Sequence, residues 1–422
     1  MGMALSVTEP EPVAPLFRRK VFYIPGYDPF YPRRYRELYR TEGQAQAQIS
    51  GYTIDLSPKK SAGDYGWHVK SAIGGQGGVA DIDVLVWSDI VKSSMDQGIA
   101  ATYLQMARTV WIYVVSGALF RLMRLRKGPM IAAFYPVVFL LVQLALAVGL
   151  GGAVFGGGMA ATGLIPGADT WLFTRAGFAV ILAMVAGVWV LQLCKRYDAK
   201  IFAYYLMHDY AYSAQLGGAN PPELEQRMAV FRGRIRQALT QPYDEVLVVG
   251  HSSGAHLAVS VLADLIREGP PPQHPALGFL SLGQVVPMVS FLPKAHRLRA
   301  DLQFLAAQSG LTWVDVTAPG DGCAFALCDP VCVTGVAPDN KRGPLVISAA
   351  FSQTLSPKRW RALRWRFFRL HFQYLCAFDR PGDYDYFRIT AGAQTLAARY
   401  AGRKPSASRI EVPRSGYRGT TA

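Results

Sequence analysis

The sequence predicts an α/β protein: a mostly parallel sheet flanked by helices, with an inserted two-helix transmembrane hairpin. Three observations carry this reading. Short apolar runs alternate with helical patterns along the chain. One of those runs, Glu245 to Val249, meets the turn Gly250-His251-Ser252-Ser253-Gly254 and then a helical pattern. Two long charge-free stretches interrupt the alternation.

Taken in order, Lys20 to Ile24 reads as a buried strand, and Pro25-Gly26-Tyr27 turns sharply after it. Tyr31 to Ala45 has the mixed polar and aromatic character of a helix. Tyr52 to Leu56 and Trp67 to Ala72 are spaced to pair as a hairpin across Ser61-Ala62-Gly63-Asp64, and Ile82 to Trp87 is a further short strand. Tyr197 to Ala214 and Pro222 to Leu239 read as helices, the second opened by proline, which a helix start tolerates. Ala255 to Ile266 is the helix after the Gly-x-Ser-x-Gly turn, and Leu277 to Leu282 and Leu311 to Val316 are strands.

The charge-free stretches run from Ile131 to Phe155 and from Ala176 to Cys194. A helix of about 20 apolar residues crosses a bilayer, so the first is ample. The second is sufficient once Trp171 to Thr174 are added and Arg175 snorkels. Gly149, Gly151, Gly152 and Ala153 would let two helices approach closely, and Gly156-Gly157-Gly158 is expected to end the first. Arg121, Arg124, Arg126 and Lys127 precede the first span; Lys195, Arg196 and Lys200 follow the second. The intervening loop, Met159 to Thr170, carries only Asp169, so both outer flanks are expected in the cytoplasm. Met106 to Met130 mixes apolar residues with arginines and fits either an interfacial amphipathic helix or a solvated helix of the main domain.

The bulk numbers agree with a membrane-associated chain. It has 422 residues, 51% of them hydrophobic and only 17% charged, with a net charge of +15. That excess of cations suits nucleic acid or an anionic leaflet; no nucleic-acid-reading motif accompanies it, so the leaflet is the expected partner. The run Lys358 to Arg369 interleaves cations with Trp360, Trp365, Phe367 and Phe368, a composition suited to the headgroup zone. The five cysteines are sparse and odd in number, which fits reduced thiols. The spacing of Cys323, Cys328 and Cys332 does not match a zinc ribbon, and no metal is expected. The first twenty residues lack the apolar core of a signal peptide, and Met1-Gly2 with Ser6 matches the short N-myristoylation pattern.

A Gly-x-Ser-x-Gly turn between strand and helix lifts the serine hydroxyl off the sheet edge and points the next amide at any oxyanion formed there. With its flanks, Gly250-His251-Ser252-Ser253-Gly254-Ala255-His256-Leu257-Ala258 resembles the nucleophile elbow of the lipase and carboxylesterase members of the α/β-hydrolase superfamily. The resemblance covers the chain outside the hairpin and the tails, and the large insertion before the elbow departs from it. It implies a serine hydrolase with its parts in the order Ser, acid, His. Ser252 is then the nucleophile and His371, the one histidine after Asp321, the general base. Asp321, in the loop beyond the strand at Leu311 to Val316, is the preferred acid, with Asp315 and Asp329 as alternatives. The oxyanion hole falls to the Ser253 amide and to Gly26 and Tyr27 in the loop after the first strand. His251 and His256 are expected to be structural.

The expected activity is cleavage of carboxylic esters, lipid or acyl esters above all, at the cytoplasmic face and without a cofactor. Acyl transfer by the same residues, or a non-catalytic membrane adaptor on the same fold, are the alternatives. The expected divisions are 1–105 and 197–400 for the two parts of the α/β domain, 106–196 for the interfacial and transmembrane insertion, and 401–422 for a disordered basic tail.

Overall fold

A computed structural model describes residues 16–59 and 64–421. The Met1-Gly2-Ser6 pattern and residues 61–63 of the expected hairpin turn lie outside them. Eight strands form one sheet: β1 (Phe17–Ile24), β2 (Thr53–Pro58), β3 (Gly66–Ile73), β4 (Gln76–Val84), β5 (Glu245–His251), β6 (Ala276–Leu282), β7 (Leu311–Thr317) and β8 (Leu345–Ser348). Their order is β2-β3-β4-β1-β5-β6-β7-β8. Pairing is parallel from β4 through β8, and β3 is antiparallel to both its neighbours. The architecture is therefore α/β with a mostly parallel sheet.

Burial explains the strand sequences. β5 is central and wholly buried, so Val246 to Val249 form an unbroken apolar run. β3 alternates buried Trp67, Val69, Ser71 and Ile73 with more exposed residues, the pattern of a strand covered on one face. One face of the sheet packs Val249, Trp67 and Phe387; the other packs Val248, Phe279 and Trp313. The strand expected at Ile82 to Trp87 begins earlier, at Gln76, and its end belongs to a helix start, because β4 must stay in register with β1 from Phe17↔Gly78 onward.

The helices are α1 (Arg33–Ser50), α2 (Ser88–Met95), α3 (Ile99–Val115), α4 (Ala118–Leu125), α5 (Lys127–Gly163), α6 (Leu172–Arg196), α7 (Asp198–Ile201), α8 (Ala203–Ala214), α9 (Pro222–Ala238) and α10 (Ser253–Arg267), followed by shorter ones. Two helical segments, Lys127–Gly163 and Ala168–Arg196, are long and apolar enough to cross a membrane. Their mean hydropathies are 2.4 and 2.2. They pack against each other where Gly151 faces the Ala183 carbonyl and Gly187 faces that of Ala147. Gly149 and Gly152 have open space instead.

Two expectations for this region are corrected, the end of the first helix and the unbroken helix at Tyr197 to Ala214. Gly156-Gly157-Gly158 do not end the first helix, which runs on to Gly163, since helix propensity is a weak prior against neighbouring packing. Arg175 reaches back to the end of α5, donating to the Met159 carbonyl at 2.8 Å, the Ala168 carbonyl at 3.0 Å and Thr162 Oγ1 at 3.0 Å. The single helix expected at Tyr197 to Ala214 breaks at Phe202, whose φ is 62°.

Met106 to Met130 forms parts of α3, α4 and α5, with a 75° bend between α3 and α4 at Ser116-Gly117. The bend uses the left-handed conformation of Gly117. The expected disordered tail is also corrected. The Ile410 amide donates to Leu327 at 2.7 Å, the Arg414 amide to Val333 at 2.9 Å, and Arg299 Nε to the Gly419 carbonyl at 2.7 Å. Main-chain hydrogen bonds depend little on composition, so a polar, proline-bearing segment can still be strapped down.

Candidate active site

The central strands set the site. Gly250 pairs in register with Ile24 on β1 and Ser281 on β6. Immediately beyond, Ser252 has φ 56° and ψ −124°, a backbone conformation that costs a non-glycine residue free energy. The Ser252 amide donates to the Leu282 carbonyl at 2.9 Å, which fixes the turn to the end of β6. A side chain at Gly250 would stand 2.7 Å from the Gly254 carbonyl, and one at Gly254 would strike the Ile24 carbonyl. Glycine is required at both places.

Gly26 crosses this turn so closely that a Cβ on it would lie 2.9 Å from the Ser252 Cβ and 3.3 Å from Oγ. Its loop is held from three sides. The Trp87 indole donates to the Pro25 carbonyl at 2.9 Å, the Tyr205 hydroxyl donates to the Tyr27 carbonyl, and the Tyr27 hydroxyl meets Ser94 Oγ at 2.6 Å. Among the described residues, neither the Tyr27 nor the Ser253 amide has an acceptor.

His371 is brought to the same place from far along the chain, at the end of a short helix, Phe367–His371. Its Nδ1 donates to Asp321 Oδ2 at 2.7 Å, and both residues are buried. Nε2 is buried and has no hydrogen-bond partner among the described residues. His371 packs against the residues beside Ser252. The His251 ring lies 4.9 Å from the His371 ring, and His251 Nε2 donates to the His371 carbonyl at 3.0 Å. Burial lowers the His251 pKa to about 3, so this histidine stays neutral while it supports the His371 backbone. Gly283, which follows Leu282, faces His371 Cε1; a Cβ there would be only 3.1 Å away.

Asp321 is bound on every side. It accepts from His371, from the Tyr374 hydroxyl at 3.0 Å, and from the Cys323 amide at 2.9 Å. Burial alone would raise its pKa, but the His371 charge and these hydrogen bonds outweigh burial and hold the carboxyl below its ordinary range. The two alternative acids are engaged elsewhere. Asp315 accepts from Ser281 at 2.5 Å, and burial pushes it up to about 8. Asp329 caps the helix Pro330–Thr334 and pairs with Lys341 at 2.8 Å.

Two residues of the site escape a reading of the sequence. Tyr374 orients Asp321 and also accepts from the Ala318 amide at 3.0 Å; its place one helical turn after His371 is the available signal. Asp209 on α8 lines a narrow cleft with Tyr27, Tyr212, Ser253 and His256. Burial pushes its carboxyl up to about 7 against the downward pull of His371. Nothing in the local sequence marks it.

All five cysteines are free thiols. Ligand atoms of Asp321, Cys323 and His371 lie within 4.8 Å of one another. That set fits a metal poorly, because Asp321 and His371 already bond each other and burial raises the Cys323 thiol well above its ordinary range. In comparisons with known proteins, no family model, no curated relative and no solved structure matches this chain.

Proposed function

We propose that this chain is a membrane-anchored serine hydrolase of α/β-hydrolase type that cleaves carboxylic esters of lipid or acyl character. The observation that carries the reading is the buried Asp321–His371 pair packed beside the strained Ser252 turn, with Nε2 left unpartnered. A serine hydroxyl is a weak nucleophile until a base takes its proton. Here Ser252 Oγ attacks the ester carbonyl as its proton passes to His371 Nε2. The resulting oxyanion is held by the amides of Ser253 and Tyr27. Asp321 keeps the imidazole in the tautomer that leaves Nε2 basic and stabilises the imidazolium. Collapse expels the alcohol, which takes the proton from Nε2. Water then repeats the sequence on the acyl-enzyme and frees the acid and Ser252.

Anchoring rests on the two long apolar helices, and the positive flanks support a cytoplasmic site. Exposed Trp365 and the neighbouring arginines suit contact with an anionic leaflet. The test is labelling of the full chain in membranes by a fluorophosphonate probe. Covalent labelling that disappears in Ser252→Ala and falls sharply in His371→Ala is the expected result; no labelling of folded wild-type protein would sink the reading.

A further inference from the structure

Helix α8 separates three spaces around the candidate site. Asp209 and Tyr212 face the narrow cleft that contains Ser253. His208, Ala211 and Gln215 face a cavity of about 440 Å³ between α2, α3 and α8. Met207 and Tyr210 face a groove walled also by α3, the first turns of α5, Leu119 of α4 and Met288. The cavity and the groove, which is an open furrow of only about 50 Å³, differ in chemistry. The cavity is lined by Asp89, Arg108, His208 and Glu223, so hydrocarbon placed there would strip water from charged groups. The groove is walled by Val110, Met130, Ala133, Phe134 and Val137, with Tyr113 at its inner side.

Position decides what fills the groove. Ala133, Phe134 and Val137 lie on the helix that is long and apolar enough to cross a membrane, and Phe134 is exposed. With α5 as a membrane span, this side of the groove faces the leaflet. Tyr210 lines this groove and its chain neighbour Asp209 lines the cleft, so only the width of α8 stands between the two spaces. The first turn of the same helix touches the acid loop, where Gly128 meets Gly322.

Resting on the hydrolase reading, we propose that the groove between α3, α5 and α8 holds the acyl chain of a membrane-resident ester. The chain enters laterally from the leaflet, and the ester carbonyl reaches Ser252 without leaving the membrane surface. Chain-length preference is then set by α5, which lies outside the sheet domain, and not by the polar cavity.

The test compares butyryl and palmitoyl 4-nitrophenyl esters on the full chain in phospholipid nanodiscs. Ala133→Trp fills the groove; Val148→Trp places the same bulk on an exposed face farther along α5. Ala133→Trp should lower the palmitoyl-to-butyryl ratio of kcat/KM by about ten-fold, the worth of roughly two buried methylenes, while Val148→Trp leaves it unchanged. A ratio unmoved by Ala133→Trp, or moved equally by Val148→Trp, overturns the proposal. A second measurement needs no groove substitution. A palmitoyl ester with a terminal diazirine, photolysed on Ser252→Ala, should label residues 109–113, 130–137 or 207–210. Label spread evenly along α5 and α6 overturns the proposal. Should wild-type protein cleave neither ester, the hydrolase reading falls, and the photolabelling still decides whether the groove binds a chain.

Discussion

Gly128, in the first turn of the long apolar helix α5, lies directly against Gly322, the residue after Asp321: a Cβ on Gly128 would stand 3.3 Å from both the α-carbon and the carbonyl oxygen of Gly322. On its other side Gly322 is covered by Phe367, and Gly320 by Trp360. The loop carrying the acid is thus clamped between the hairpin and the basic-aromatic segment. Backbone cannot yield as a flexible side chain does, so bulk at residue 128 must move the loop. Gly128→Leu is expected to lower kcat for a soluble ester by about ten- to a hundred-fold, the effect of misplacing a catalytic group by a fraction of an ångström to one ångström. Unchanged kcat in a folded variant would show that the contact does not position the acid.

Tyr374 offers a finer probe, because its hydroxyl donates to Asp321 and accepts from the Ala318 amide. Tyr374→Phe removes both bonds and keeps the ring that packs on Phe351. Stability should fall by about 1–3 kcal/mol, since a buried amide loses its acceptor. The lost bond to the carboxylate should lower kcat by roughly three- to ten-fold. Thermal melts with steady-state kinetics on one preparation check both.

What the sequence makes legible follows from how each signal is encoded. β5, its turn and α10 are readable because local periodicity and two obligatory glycines specify them. The two apolar helices are readable because sheer length of charge-free sequence is enough. β8, only Leu345–Ser348, escapes because four residues carry no periodicity. Asp321 is preferred over Asp315 on sequence for lying beyond a strand, and His371 bonds Asp321. Asp209 and the contact of His251 with His371 cannot be found this way. Their neighbours come from segments far apart in the chain, and no local pattern records such contacts.

Asp315 gives a pH dependence of definite sign. Its folded pKa of about 8 lies above the ordinary 3.8 because burial disfavours the anion; the Ser281 bond opposes the shift and Asp329 adds to it. Between those values the folded chain keeps a proton that the unfolded chain releases, so this residue makes stability fall as pH rises, by at most about 1.4 kcal/mol per pH unit. Asp315→Asn preserves an acceptor for Ser281 and removes the titration. Its melting temperature should gain on wild type steadily from pH 4 towards 8. A difference that does not vary with pH would contradict the assignment.

The hairpin reading is checked from the outside. Asp169 is exposed in the short loop between α5 and α6, and the proposed orientation puts it on the side opposite the sheet domain. Asp169→Cys, in a background with the five native cysteines replaced, should react with an impermeant maleimide added to intact cells. Ser408→Cys, at an exposed position of the C-terminal segment, should react only after permeabilisation. The reverse pattern would turn the protein over in the membrane and place the candidate site on the outer side.

Two ion pairs of similar length separate burial from proximity. Arg19 Nε meets Glu245 Oε2 at 2.6 Å with both side chains 1% exposed, while Arg403 Nε meets Asp383 Oδ2 at 2.5 Å with 38% and 40% exposed. Glu245 also accepts from the Leu396 amide at 2.6 Å, and Arg19 donates to the Gly392 and Gln394 carbonyls. The first pair joins β1 and β5, in register at Arg19↔Glu245, below the turns that carry Gly26 and Ser252. Glu245→Ala strands a buried guanidinium between the two strands that position Ser252 and Gly26 and should cost about 3–5 kcal/mol. Asp383→Ala removes a partner that water replaces, and should cost about 0–1 kcal/mol. Denaturant melts of both variants in one detergent distinguish the cases; equal losses would mean that the Arg19–Glu245 pair is hydrated in solution and does not hold β1 against β5.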